Sequence, residues 1–576
     1  MSGSGQADRD GYASGGQLIR VDQDKGLSLA ERLANHLHRL AWRTPLHSLR
    51  LRGRYPLKLL GVPQDPLPGD VRAGQEILQG RIGCRGDYIA LADLDFSNLQ
   101  VSPGLYDHLH SFSWLRDLAA AAERAETSVI AERLIERWLS AHGNLVTQTV
   151  WRPDLCARRI MNWAAHAPML LSSSNLVYRS AVLNGLARQA RHLDRSADKA
   201  VRGLQRVVAW SGVVAAGLLI PGGDMRRAHG EAGLARALAH AMHGDGGLLE
   251  RSPVLQLELV EALAQLRSVY VLRRIDMPEA IADSLARAVP ALLAITMGDG
   301  ALSSWQGACP VGARRVEAAI RASGVRARPL RQASDWGYQR LAAGPLRVVL
   351  DAAPPPVIKS SGGGCASTLA FELSDGEHRI VVNCGGPAGG AGDFPPGLAD
   401  ALRATAAHST LVIADTNSTA IYPDGPLGKG VSEVAFDRRE TEAGSRVEAT
   451  HDGYVRRFGL LHKRQLVLST EGRELVGEDV LLPAGRRRRS QPQPVAIRFH
   501  LAPGIDVTPT ADGLGAVLQI PDGPLWQFRC RGGALSVEES LWVDESGWPR
   551  MTQQLLVSAE SPPGGISVTW MLRRIS

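Results

Sequence analysis

The spacing of apolar residues changes once along this chain of 576 residues, and that change constrains the fold more than any other feature. From about Trp114 to Ser323, apolar residues recur every three or four positions in successive stretches, which is typical of amphipathic helices. From about Trp336 onward they alternate with polar residues, as Val495 and Ile497 do, which is typical of strands. The sequence therefore predicts an α+β protein whose first part is helical and whose second part is all-β.

Four segments follow from this pattern. Residues 1–26 are polar and rich in glycine, and we expect them to be disordered. Residues 27–112 predict an irregular lead-in that begins with one helix, Leu27–Trp42. Residues 113–332 predict many antiparallel helices with short connections, which indicates an α/α toroid in the form of an incomplete helical barrel. Residues 333–576 predict an antiparallel β-sandwich.

The composition excludes some classes of protein. No run of about 18 apolar residues occurs, so no transmembrane segment is predicted. The first residues lack the apolar core of a secretory signal, which favours a cytoplasmic location. Six scattered cysteines form no CxxC pair and are expected to be reduced thiols. The net charge of +7 comes mostly from arginine, which suits an acidic polymer. The basic run Arg486–Arg489 has no interleaved aromatic residues, so no nucleic acid is expected as a partner.

Six local strings resemble, in order, the heparinase II/III-like polysaccharide lyases. They are WRPDLCARRIMNW (151–163), GDGGLLERSPVLQLELVEAL (244–263), STLAFELSDGEHRIVVNCG (367–385), AAHSTLVIAD (406–415), HDGYVRRFGLLHKRQL (451–466) and VAIRFHLAPG (495–504). The resemblance implies an α/α toroid followed by a β-sandwich, and a carbon-oxygen lyase that cleaves an acidic polysaccharide by β-elimination. Because family members often act outside the cytoplasm, it also implies the periplasm or cell envelope as an alternative location.

Elimination requires a group that neutralises the uronate carboxylate. Arg159, Asn162 and His166 have the spacing i, i+3, i+7 and share one helical face that could bind a uronate, although a polar face that satisfies helix ends has the same pattern. Arg251 precedes a helix that begins at a Ser-Pro pair, where an anion would be stabilised, although simple capping is an equal alternative. His500 shares the polar face of a strand and completes the predicted substrate-binding set.

Elimination also requires a base and an acid. The resemblance places a histidine at His408, and Tyr454 and His451 are the other predicted catalytic residues. Where family members carry a catalytic tyrosine after the Ser-Pro pair, this chain has Leu255 and Gln256, so an expected proton carrier is missing.

Family members commonly carry a histidine, an aspartate and a further histidine at three places in the sandwich, where the histidine and aspartate can hold a structural metal. The matching positions here are Cys365, Asn383 and His408. Thiolate and imidazole are good zinc ligands but an amide is a poor one. The set predicts either a zinc or calcium site or, more readily, a lost or weakened one.

Three functions remain open. The first is a lyase that acts on a uronic acid polymer. The second is a catalytically impaired relative that binds an anionic glycan or envelope polymer. The third is a glycoside hydrolase on the same toroid. The sequence does not determine the polymer or the oligomeric state.

Overall fold

The computed structural model of this chain describes residues 13–20, 50, 51, 53, 58–356, 363–387, 394, 395, 397–423, 425, 427–442, 444–485 and 491–575. The predicted helix Leu27–Trp42, the run Arg486–Arg489 and most of residues 1–26 lie outside this set. Within the described ranges, no helix combines the length and the apolar character that crossing a bilayer would require.

The first part of the chain is helical. Its helices are α1 (Val71–Leu78), α2 (Pro103–Ser111), α3 (Trp114–Ala121), α4 (Arg124–His142), α5 (Pro153–Ala165), α6 (Ala167–Leu170), α7 (Leu176–Ser196), α8 (Leu204–Leu219), α9 (Asp224–Ala241), α10 (Pro253–Arg273), α11 (Glu279–Ala294) and α12 (Ala313–Ser323). A short hairpin, β2 (Arg81–Cys84) and β3 (Asp87–Ala90), lies between α1 and α2.

Helix α8 lies at the centre of this helical domain. It is apolar almost all round, and every residue from Val207 to its last residue is buried, as expected of a helix surrounded by other helices. It packs against α5, α7, α9 and α10. Gly212 allows the close approach of α5, because a Cβ at this position would lie 2.4 Å from the Cβ of Ala157.

The second part is a sandwich of two mainly antiparallel sheets. Its strands are β4 (Tyr338–Ala343), β5 (Leu346–Asp351), β6 (Phe371–Asp375), β7 (His378–Val382), β8 (Leu411–Ile413), β9 (Glu433–Thr441), β10 (Gly444–His451), β11 (Leu460–Ser469), β12 (Glu474–Pro483), β13 (Gln493–Leu501), β14 (Asp506–Pro509), β15 (Gly515–Gln519), β16 (Leu525–Arg531), β17 (Ala534–Val543), β18 (Pro549–Ser561) and β19 (Ile566–Arg574). Two short helices, α13 (Leu398–Ala401) and α14 (Val455–Phe458), connect strands.

The order of strands in the first sheet is β1-β9-β10-β11-β12-β19-β16-β15-β14, where β1 is Ala13–Ile19. The second sheet has the order β17-β18-β13-β7-β6-β5-β4, and β8 also pairs with β13. Alternating apolar side chains of both sheets meet in one core, as along β11, where every second residue is buried.

Strand β1 corrects the expectation of disorder for residues 13–19 only. Residues 13–19 pair with β9 in an unbroken antiparallel register. Gly15 and Gly16 are typical of a flexible tail. The edge of β9 nevertheless supplies hydrogen-bond partners for their backbone, and these partners are distant in sequence.

Candidate functional site

The two domains meet at a network of buried polar groups, which we call the junction cluster: Arg251, Gln306, Asp351, Ser367 and Tyr338. Arg251 belongs to the helical domain and Asp351 to the end of β5, and their side chains form an ion pair of 2.6 Å with almost no exposure. Arg251 also donates to the carbonyls of Trp336 and Pro354. Its guanidinium lies 4.7 Å from the ring centroid of Tyr338.

The second carboxylate oxygen of Asp351 also accepts a hydrogen bond. Ser367 donates to Asp351 at 2.7 Å, and Gln306 donates to Ser367 at 2.9 Å. The predicted uronate-binding arginine, Arg251, is therefore used inside the protein, where it joins the two domains. Its backbone has a φ of 55°, a left-handed conformation that is uncommon for a residue with a side chain.

Two residues of the predicted face, Arg159 and Asn162, lie on one side of α5 and point into the helical packing, whereas His166 follows the end of α5. Arg159 is fully buried and donates to the carbonyl of His110 at 2.6 Å, and Asn162 donates to the carbonyl of Ser111 at 2.9 Å. These carbonyls lie at the C-terminal end of α2, where intrahelical partners are missing. The alternative reading of this face, a polar surface that satisfies a helix end, matches the geometry.

His166 lies apart from the other two. Its Nε2 is 3.5 Å from the carboxylate of Asp65, which also pairs with Arg116 at 2.7 Å. Burial opposes ionisation of Asp65, but His166 and Arg116 outweigh it and lower the pKa of Asp65 to about 2. Asp65 is therefore a stable internal anion, and the His166 side chain contacts Asp65 within the protein.

His408 is buried, and its Nδ1 donates to the carbonyl of Ala404 at 2.8 Å. Burial lowers the pKa of His408 to about 4. The Tyr454 hydroxyl donates to the carbonyl of Leu411 at 2.9 Å, and burial raises its pKa well above the ordinary range. Neither group has a pKa suited to moving protons near neutral pH.

His451 lies in the sandwich core beside β11. Its ring is 5.5 Å from that of Tyr454, and its Nε2 is 3.2 Å from Nδ1 of His462. His462 in turn donates to Asp479 at 2.7 Å. Two of the predicted catalytic residues, His451 and Tyr454, are thus brought together, but within the packed core.

His500 occupies the outer face of β13. Its Nε2 donates to the carbonyl of Ala406 at 2.9 Å, and its Nδ1 accepts from Ser540 at 2.7 Å. Burial lowers the pKa of His500 to about 3, so the ring is neutral and carries no positive charge for a uronate.

The predicted metal ligands each have another partner. The Cys365 thiol donates to the carbonyl of Gly363, Asn383 donates to Glu372, and His408 is used as described above. Among the described residues, no group of three or more His, Cys, Asp or Glu side chains is arranged to hold a metal ion.

The sequence reasoning missed a row of ion pairs that runs across α2, α5, α10 and α12, which we call the charged row. Arg152 pairs with Asp107 and Asp154, Arg158 with Glu258, and Arg315 with Glu261, at distances of 2.6 to 2.8 Å. Arg152, Arg158 and Arg315 keep between 35% and 42% of their side chains exposed. In the sequence, the charged row is visible only as charged residues spaced i, i+4 on α5 and i, i+3 on α10.

The two residues at the place of the expected catalytic tyrosine, Leu255 and Gln256, are packed inside the protein. Leu255 is half-buried, and Gln256 is fully buried on α10. The Gln256 amide accepts from the N–H of Leu248 and donates to the carbonyls of Gly246 and Ala288. These contacts hold the loop before α10 in place, so this residue has a structural task.

A helical domain followed by an antiparallel sandwich of two sheets defines the fold class of the protein. A model described as "Heparinase II/III-like, C-terminal" matches residues 325–571. The chain belongs to the heparinase II/III-like family. This confirms the predicted family and the predicted fold class, an α/α toroid followed by an antiparallel β-sandwich.

Among individual relatives, FtsZ-localized protein C of Caulobacter vibrioides is 30% identical over 560 residues, which is 94% of each chain. The solved structure of heparinase III has a TM-score of 0.68 at 14% identity, covering 97% of this chain and 93% of that one. Heparan sulfate lyase HepC of Pedobacter heparinus has a TM-score of 0.56 at 14% identity, covering 96% and 92%. At these identities the two structures establish the fold alone.

Proposed function

We propose that this chain is a non-catalytic member of its family, which keeps the lyase fold as a binding scaffold and localises with FtsZ. The observation that carries the proposal is the use of the expected catalytic and substrate-binding groups inside the protein. Arg251 is paired with Asp351, the Tyr454 hydroxyl is bound to a carbonyl, and the Nδ1 proton of His408 is bound to another. A β-elimination would need these groups to be directed at a substrate.

The charged row supports the same proposal. A site for a polyuronate benefits from cations that have no internal counterion. Arg152, Arg158 and Arg315 instead each have a carboxylate within 2.8 Å. The row is therefore close to electrically balanced, which favours a partner with charges of both signs over an acidic polymer.

The relative from Caulobacter vibrioides supports the cellular part of the proposal. That protein is named for localisation with FtsZ, and the match covers nearly the whole of both chains. We infer that a cytoplasmic location beside FtsZ fits this chain better than the periplasm that lyase activity would imply.

Lyase activity on an acidic polysaccharide is the second candidate function. The heparinase III fold across 97% of the chain and the presence of His408 at the family's histidine position favour it. Binding of an anionic glycan without cleavage lies between the two candidate functions, since it keeps the ligand of a lyase but not its chemistry.

A fluorescent fusion of the full chain, expressed in its own organism, tests the proposed function. We expect a band that coincides with labelled FtsZ and disperses within one generation when FtsZ is depleted. A fusion that stays uniformly distributed, or a band that persists without FtsZ, would refute the proposed localisation.

A further inference from the structure

Strand β1 covers the edge of the nine-stranded sheet, but most of residues 15–19 remain exposed. It is seven residues long, and two of these residues, Gly15 and Gly16, have no side chain to pack. Glycine weakens a strand because it loses more conformational entropy on folding and buries no apolar surface. Ile19 remains 64% exposed. Leu18 packs against the sandwich core as the apolar anchor of the strand.

The edge beneath β1 is well formed. Val434, Phe436 and Arg438 of β9 are buried, and β9 pairs with β10 along its other side. If β1 left, a straight row of backbone N–H and C=O groups would face solvent, which is the arrangement that accepts an added strand from another chain.

Two side-chain positions on this edge are selective. A Cβ at Gly16 would lie 2.7 Å from Cζ of Phe436, so a segment bound here needs a very small residue over that ring. Two positions later, Leu18 reaches Gly337, where its Cδ1 is 3.0 Å from the place that a Cβ would occupy. The edge therefore fits an extended segment with a small residue followed two positions later by an aliphatic one.

We propose that the outer edge of β9 is a binding site for an extended peptide segment of a partner protein, and that β1 is its internal competitor. This deepens the proposed function, because it gives the binding scaffold a surface and a class of ligand. The partner's backbone would replace the β1 hydrogen bonds, and its small and aliphatic residues would take the places of Gly16 and Leu18.

Because β1 must leave the edge of β9 before a partner can bind, β1 regulates the affinity of the site. The apparent affinity of a partner is reduced by the fraction of molecules whose edge is free, so an edge free in about one molecule in a hundred weakens binding about a hundredfold. A change that releases β1 should therefore increase binding without altering the site itself.

The variant Gly16→Val and its matched control Gly15→Val test this. Both place the same β-branched residue in β1, but a Cβ at Gly15 meets nothing closer than 3.4 Å. The probe is a labelled nonapeptide with the sequence of residues 12–20, added to the full chain. We expect Gly16→Val to bind it at least about tenfold more tightly than Gly15→Val and the unmodified chain, and to exchange the β9 amides faster. Leu18→Asp should act as Gly16→Val does.

Purified FtsZ from the same organism is the second probe. Tighter FtsZ binding by Gly16→Val would support the site and identify its partner. Nonapeptide binding supports the site even where the fusion does not localise with FtsZ, so the two proposals fail separately. Unchanged nonapeptide binding and unchanged β9 exchange in both Gly16→Val and Leu18→Asp would overturn the proposal. So would a dimer of the unmodified chain that exchanges β1 between copies, because the edge would then take β1 from a second copy.

Discussion

Replacing Asp479 with asparagine is expected to lower the free energy of unfolding by about 3–5 kcal/mol, because it breaks a fully buried charge network. Asp479 accepts from Arg464 at 2.8 Å and 3.0 Å, from His462 at 2.7 Å and from Trp570 at 2.9 Å. Without the carboxylate, the Arg464 guanidinium remains buried with no opposite charge. Urea unfolding, followed by far-ultraviolet circular dichroism, measures the change.

Glu448→Gln is the matched control, because it removes a carboxylate from the same sheet. Glu448 pairs with Arg446 at 2.7 Å, but their side chains are 26% and 37% exposed. Exposed pairs contribute about 0–1 kcal/mol, so this variant should unfold almost as the unmodified chain does. Equal losses in the two variants would contradict the claim that the Asp479 network stabilises the sandwich.

The same network predicts a dependence on pH. Burial alone would raise the pKa of Asp479, but the Arg464 guanidinium and the His462 N–H outweigh burial and hold this pKa well below its usual range. A carboxyl whose folded pKa is lowered stabilises the fold above its unfolded pKa, about 3.9, and loses that contribution as the pH falls toward the folded value. The stability gap between the unmodified chain and Asp479→Asn should therefore narrow below about pH 4.

Replacing Arg251 with methionine should cost a similar amount, about 3–5 kcal/mol, because the Asp351 carboxylate would remain buried without its cation. The carbonyls of Trp336 and Pro354 would also lose a donor. Because these groups join the two domains, we expect the unfolding curve to separate into two transitions. Differential scanning calorimetry would detect that separation.

Arg315→Met is the control for this variant, since its ion pair with Glu261 also joins two elements but leaves Arg315 42% exposed. It should cost about 1 kcal/mol or less. In the double variant Arg251→Met/Asp351→Asn, removal of both charges should cost less than the sum of the single changes. Strict additivity, or a single sharp transition in Arg251→Met, would show that the junction cluster does not hold the domains together.

The fold could be predicted from the sequence because the apolar spacing is a local property. Strands such as β9 and β11 carry it along their whole length. The position of β1 could not be predicted, since its partner β9 lies more than 400 residues away in sequence. Strand pairing at that separation leaves no periodic signal in a short glycine-rich segment.

The sequence indicated which polar residues to consider for the candidate site, but not what their side chains contact. The spacing of Arg159 and Asn162 correctly indicated one shared helical face, yet the sequence could not reveal that this face meets the end of α2. Arg251 was predicted to bind the substrate carboxylate, but the anion that it binds is Asp351 of the other domain. Spacing reports which residues share a face, and only the packing reports what that face contacts.

The proposed function requires that the lyase fold persists here without lyase chemistry. The most direct test is incubation of the purified chain with heparan sulfate, chondroitin sulfate and polyuronates, with zinc or calcium added, while ultraviolet absorbance of unsaturated uronate is followed. We predict no increase above a heat-denatured control for any polymer. An increase that disappears in a folded His408→Ala variant would contradict the account.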